Sequence, residues 1–345
     1  MNKQESLELK GVAILMMLFL HLFNTPERAA ECYNLLYIGD KPLSLLLSRI
    51  GGMCVPIYIF ISGYGLAASW QKQPNHQLHP LKRIWRLFGM YWTVFLLFIP
   101  LASYIRPSEY PGSIGEFVLN FFCLTYSYNG EWWFLRSYIL MVLFSPWIIG
   151  CMMRGKKQRK SMIIVAAISY MVWAVLSKTH WMQDFYVMDV VKNFLHIYFS
   201  FVFGVWLFCT GGVFRLRTKL DTLSANRRCW VIATGIALPL ILCFVYEKMF
   251  IKAIAMMPLL PFYLMLNRAG WVKCVLCYLG RHSTYMWLTH SFFCYYLFHD
   301  YIYGLRYPAL MFGVLIMLAL ISSYVCKWVH DGVAHLFSKL YLRTR

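Results

Sequence analysis

In 345 residues the chain carries 60% apolar and 18% aromatic residues but only 14% charged ones, where a soluble domain carries about a quarter charged. That composition excludes a water-soluble fold, a disordered chain and a fibre. The eleven cysteines have no framework spacing, which excludes a small disulfide-built secreted domain. What remains is an all-α polytopic integral membrane protein, read as a single membrane-embedded domain over 1–345.

The uncharged runs, in chain order, are 11–26, 50–71, 87–105, 137–153, 161–177, 193–214, 229–246, 253–267, 282–299 and 307–326. Most reach the roughly 17–25 residues a spanning helix needs, and they predict ten transmembrane helices. A further run, 117–130, is short and polar at its end. The charge pattern decides its place. With ten spans and a cytoplasmic N-terminus, 23 of the 33 Lys and Arg face the cytoplasm with 4 acidic residues, and 10 basic and 10 acidic residues face out. This is the positive-inside rule in strong form. If 117–130 also crossed, the clusters Arg154–Lys160 and Arg215–Arg228 would face out. The segment 106–136 is therefore predicted to be one outer-side region, partly embedded, and both termini to be cytoplasmic.

The net charge of +19 is thus a topology signal and a contact with membrane lipid, with no nucleic-acid partner expected. The leading segment mixes acidic and basic residues, and no small-x-small cleavage site follows it, so the first helix is expected to stay. Cys274 and Cys277 form a lone CxxC, and one pair without a second does not make a zinc site; no metal is expected.

Ionisable groups inside spans are costly and so are candidates for function. Eleven residues separate Lys10 from His21, which at about 100° per residue returns to the same helix face about 16 Å further along. Counted from Lys10 at the cytoplasmic surface, His21 lies near mid-depth. It could move a proton near neutral pH or simply bond a neighbouring helix. Arg83 and Arg86, three apart, share a helix face and suit phosphate or pyrophosphate, or act only as an orientation signal. Glu131 beside Trp132 and Trp133 suits sugar binding or acid–base chemistry, where the plain alternative is an interfacial aromatic belt. His290 sits mid-way along the ninth span. Ser62-Gly63 in the second span reads as a close helix approach.

Together these segments resemble the integral membrane acyltransferase family 3, which includes bacterial O-acetyltransferases of envelope glycans. KGVAILMMLFLH is similar to the first-helix signature of Arg, ten residues, then His. GGMCVPIYIFISGY is similar to the second-helix segment ending in Ser-Gly-Phe/Tyr, and KRIWR to the paired-arginine motif. EWWFLRSYILMVLFSP and LGRHSTYMWLTH resemble the Trp-Phe-Leu and Leu-Gly…Ser…His segments. The order is the family's, over essentially the whole chain. One departure is Lys10 in place of the family's arginine, which keeps the charge and loses the bidentate fork.

The resemblance implies a transferase of the bacterial cytoplasmic (inner) membrane that takes an acyl group, acetyl foremost, from acyl-CoA. The acceptor would be a hydroxyl of an envelope glycan or lipid-linked sugar, and no cofactor would stay bound. It implies that His21 is the general base on the acceptor hydroxyl or a transient acyl carrier, that Lys10, Arg83 and Arg86 bind the CoA phosphates, and that Glu131 orients the acceptor or His21. Trp132, Trp133, Ser62 and His290 would line or support the site. Two rivals stand beside this reading: a glycan-lipid transporter or flippase, and the same fold transferring succinyl. The order of the motifs favours the enzyme over the transporter.

Overall fold

The computed structural model describes residues 1–73, 78–179 and 185–343; of the charges counted above, Asp184 and Arg345 lie outside them. The chain is helical almost throughout, with one small antiparallel pairing of 37–38 with 41–42. In chain order the α-helices are α1 (Lys3–Phe23), α2 (Pro26–Ala30), α3 (Leu43–Gly51), α4 (Cys54–Lys72), α5 (Pro80–Ile105), α6 (Ile114–Phe121), α7 (Trp133–Met153), α8 (Lys156–Leu176), α9 (Tyr186–Cys209), α10 (Gly212–Asp221), α11 (Ala225–Val245), α12 (Met249–Tyr263), α13 (Gly270–Ser291), α14 (His299–Tyr303) and α15 (Pro308–Arg343). Among the described residues, eight helical stretches are long and apolar enough to cross a membrane: α1, α3 with α4, α5, α7, α8, α9, α11 and α15. The other two expected runs also form helices. The α12 helix is apolar but has only 15 residues, whereas α13 has 22 and carries Lys273, Arg281, His282 and His290. The segment 114–121 is an eight-residue helix, about 12 Å long at 1.5 Å per residue, far short of a hydrocarbon core of about 30 Å.

Local sequence sets the helix ends. Asn2 accepts from the Glu5 amide while Glu5 reaches back to the Asn2 amide, a capping box that starts α1. The helix ends before Thr25-Pro26, where Thr25 caps the short α2 and Pro26 takes its first turn. The α1 helix therefore begins seven residues before Lys10 and ends two residues after His21. His21 lies in its last turn.

Glycine decides how the helices meet. A Cβ on Gly11 would strike the carbonyl of Leu276, and one on Gly280 the carbonyl of Leu7, so α1 and α13 cross backbone to backbone. Further contacts fix their direction. The Cys277 thiol meets the Gln4 carbonyl near one end, and His21 meets His290 near the other. Residue numbers rise together along both helices, so α1 and α13 run parallel. Gly63 and Gly204 make a second close crossing, with Cβ positions blocked by the Phe201 and Phe60 carbonyls. Small residues drive such approaches where lipid offers no competing hydrophobic gain.

Outside the helical wall, the region between α5 and α7 folds back onto it. The Tyr91 hydroxyl donates to the Asn120 carbonyl at 2.6 Å and the Trp92 indole to the Phe121 carbonyl at 2.9 Å. Buried Arg136 pairs with Asp189, which also accepts from the Tyr126 hydroxyl at 2.9 Å. Each bond satisfies a polar group that would otherwise face an apolar interior. On the far side of the bundle, buried Lys252 donates to the Cys243 and Tyr246 carbonyls at 2.8 Å. Arg49 adds contacts to the Phe244 and Val245 carbonyls and to Glu247. Two cations thus close the C-terminus of α11, where the helix dipole is negative.

The glycine crossing gives the first prediction. Gly280→Ala adds a Cβ against a backbone carbonyl that cannot swing away, and is expected to cost about 1–3 kcal/mol despite the better helix propensity of Ala. Gly313→Ala in α15, where nothing lies within 4 Å, is expected to be neutral or mildly stabilising. Thermal unfolding of the two purified variants in detergent checks this. Equal midpoints would show that the α1–α13 approach does not depend on Gly280.

Candidate active site

The parallel crossing brings two histidines together. His21 ends α1 and His290 ends α13, and His21 Nδ1 lies 2.5 Å from His290 Nε2. The rings are near-parallel, 11° apart, with centres 4.8 Å apart. Both are buried, His290 completely. Partly buried Glu131 reaches the other edge of His21, with Oε2 3.2 Å from Nε2.

The backbone fixes the protons. His290 Nδ1 lies 2.7 Å from the Trp287 carbonyl, which can only accept. His290 therefore carries its proton on Nδ1 and offers Nε2 as an acceptor. His21 Nδ1–H then donates to it, and His21 Nε2 is left pointing at the carboxyl of Glu131. A bare nitrogen and a carboxylate are both acceptors, so with His21 neutral and Glu131 ionised the pair has room for one proton between them and lacks it. The cluster can thus take up one proton and hand it on at a single defined nitrogen.

Glu131 is held in place from below. It lies in a 3-10 turn, Gly130–Trp132, whose fastenings all run to the end of α13 and the π-helical turn Phe292–Tyr296 that continues it. Asn129 and Ser291 hydrogen-bond each other twice, at 2.7 and 3.0 Å. The Gly130 amide donates to the Tyr296 hydroxyl at 2.7 Å, and the Trp132 indole donates to the Leu288 carbonyl at 3.1 Å. Trp132 is fully buried, edge-on to Tyr91 and Phe292. Its work is to fix the turn, and it presents no face to a substrate. Trp133 is partly buried and stacks on His196, 5.7 Å between ring centres.

The other expected residues lie elsewhere. Arg83 and Arg86 are both exposed at the start of α5, and partly buried Lys10 is within electrostatic reach of Arg83. Lys10 and His21 are separated by about 16 Å of helix. Polar and aromatic groups surround this stretch. The Tyr58 hydroxyl donates to the Lys10 carbonyl at 3.3 Å, and one turn further from His21, since α4 runs antiparallel to α1, Ser62 Oγ is 3.1 Å from the Tyr138 hydroxyl. Tyr138 stacks on Phe134, whose ring is edge-on to Trp287, one turn before His290.

Sequence reasoning passed over Arg28, Tyr295, Asn129 and Ser291. Arg28 was counted only as an outer charge, and the FFCYY run after His290 only as part of the uncharged run 282–299. A signal was present in that run, since tyrosines following a buried histidine at a helix end supply hydroxyls where helix carbonyls lack partners.

An all-α bundle of membrane-spanning helices with a buried histidine–carboxylate cluster at the ends of two parallel helices is a fold and site suited to moving a proton inside a membrane. A family model described as acyltransferase domain, Acyl_transf_3, matches residues 6–328. The chain belongs to acyltransferase family 3 and is a multi-pass membrane acyltransferase. No curated protein and no solved structure gives a match.

Proposed function

We propose that the protein transfers an acyl group, acetyl foremost, from acyl-CoA to a hydroxyl of an envelope glycan or lipid-linked sugar in the bacterial cytoplasmic membrane. The observation that carries this reading is the His290–His21–Glu131 cluster, whose proton placement leaves His21 Nε2 as the acting nitrogen. The acceptor hydroxyl enters at that edge and gives its proton to Nε2. Its oxygen attacks the thioester carbonyl, the carbon–sulfur bond breaks, and the departing thiolate takes the proton from His21. Glu131 accepts a hydrogen bond from the imidazolium while it exists, and His290 keeps the ring from turning. Lys10, Arg83 and Arg86 bind the CoA phosphates at the other end of the seam. The pantetheine arm runs past Ser62, Tyr138 and Tyr58 to reach the cluster.

The reading includes ten crossings with both termini cytoplasmic. Parallel α1 and α13 require an odd number of crossings between them. Six of the stretches between them are long and apolar enough to cross. The α6 helix is too short, so α12 supplies the seventh, and α13 and α15 complete ten. The basic clusters then all face one side, as the positive-inside rule demands.

Three outcomes are expected. His21→Ala abolishes acyl transfer, by at least the hundred- to ten-thousandfold that general-base help provides, with normal expression and little change in acyl-CoA affinity. His290→Ala reduces transfer less. Near-normal transfer by His21→Ala together with loss in His290→Ala would put the base on α13. Arg83→Ala with Arg86→Ala weakens acyl-CoA binding about tenfold or more, since a charge-assisted bond contributes roughly 1.5–3 kcal/mol; unchanged affinity would reduce the pair to a topology signal. Finally, cysteine-accessibility labelling is expected to find Arg154–Lys160 on the cytoplasmic side. Labelling of that loop from outside would invert the arrangement of donor and acceptor faces.

A further inference from the structure

Arg28 stands on the outer side of the cluster with no part in the chemistry above. One of its guanidinium nitrogens, Nη1, donates to Asn24 Oδ1 at 2.6 Å and to the Tyr295 hydroxyl at 2.7 Å. Its guanidinium carbon lies 3.9 Å from the centre of the Tyr295 ring. The Tyr295 hydroxyl donates in turn to the His21 carbonyl at 2.6 Å, and its ring centre is 5.8 Å from that of His21. The guanidinium is therefore oriented by three contacts and tied to the backbone of the catalytic histidine. Yet among the described residues it has no ion-pair partner, whereas Arg49, Arg106 and Arg136 in the outer region each have one. The second terminal nitrogen, with its two N–H groups, makes no hydrogen bond among those described. The Tyr295 ring that carries the guanidinium lies beside the His21 ring, so the charge is set one ring away from His21.

We propose that Arg28, held by Asn24 and Tyr295, is an acceptor subsite for an oxyanion, a carboxylate or phosphate carried by the acceptor about one sugar width from the hydroxyl that is acylated. With Nη1 occupied, Nη2–H and the adjacent Nε–H, which make no hydrogen bond among those described, form the parallel pair that takes such an anion bidentately. A charge set back from the base selects and orients the acceptor without competing for its proton. The inference rests on the assignment of His21 as the point of acyl transfer, but its test does not require turnover.

The test uses the purified full-length protein without acyl donor. Binding is measured for two matched pairs: methyl glucuronide against methyl glucoside, and a short isoprenyl phosphate against the corresponding alcohol. The charged member of at least one pair is expected to bind about tenfold tighter, with a preference that falls as salt is raised. Arg28→Gln is expected to lose the preference and keep acyl-CoA affinity, because the donor enters from the opposite end; Arg28→Lys is expected to keep part of it. Preference in the glucuronide pair identifies an acidic sugar, and preference in the phosphate pair identifies a lipid phosphate. No preference in either pair, a preference insensitive to salt, or one that survives in Arg28→Gln overturns the proposal. Acetyl-CoA consumption by the native protein, measured separately, tests the acyl-transfer reading, so the two can fail independently.

Discussion

Everything in the site depends on how closely α1 and α13 approach. Without side chains at Gly11 and Gly280, backbone meets backbone, and the two helices run parallel from that crossing. Each histidine lies ten residues past its glycine, so a shared helical rise delivers both to the same level and puts their rings in hydrogen-bond contact. A larger residue at either crossing would push the axes apart. A bond of 2.5 Å leaves almost no slack for such a shift, and the proton placement that makes His21 Nε2 the acting nitrogen would be lost with it.

The outer region supplies what the two helices lack. A histidine pair alone has no group to hold an imidazolium on its open edge. Glu131 supplies it, on a turn fastened to α13 and to the π turn beyond rather than to the helix it introduces. Carboxyl and imidazole are thus referred to one rigid body. The polar bonds that do this are paired and buried, which makes them costly to break in an apolar setting.

Much of this was legible in the sequence, and the reasons are physical. Apolar runs of spanning length declare themselves, and charged or titratable residues within or beside them stand out because lipid penalises them. His21, His290 and Glu131 were found that way, although nothing in their spacing said that His21 and His290 touch. That contact joins residues 269 positions apart and is set by glycines that read only as small residues. Whether Trp132 lines the site or supports it was left open for a related reason. An indole beside a carboxylate in an outer loop looks like a sugar platform until the fold buries it against Tyr91 and Phe292. Arg28 was hidden by its own ordinariness, one of ten basic residues on a face of zero net charge. Its contacts with Asn24 and Tyr295, and through Tyr295 with His21, join segments that the sequence keeps far apart.

The distance along the chain between the two histidines also sets a schedule for the enzyme's birth. His21 enters the membrane with the first helix, but its partner is not made until 269 residues later. At about 5–20 residues per second, the first histidine waits on the order of tens of seconds, through most of the synthesis of the chain. Over that interval the nascent protein has neither the base's fixed tautomer nor the carboxyl fastened to α13. The cluster therefore forms late, when α13 docks against α1.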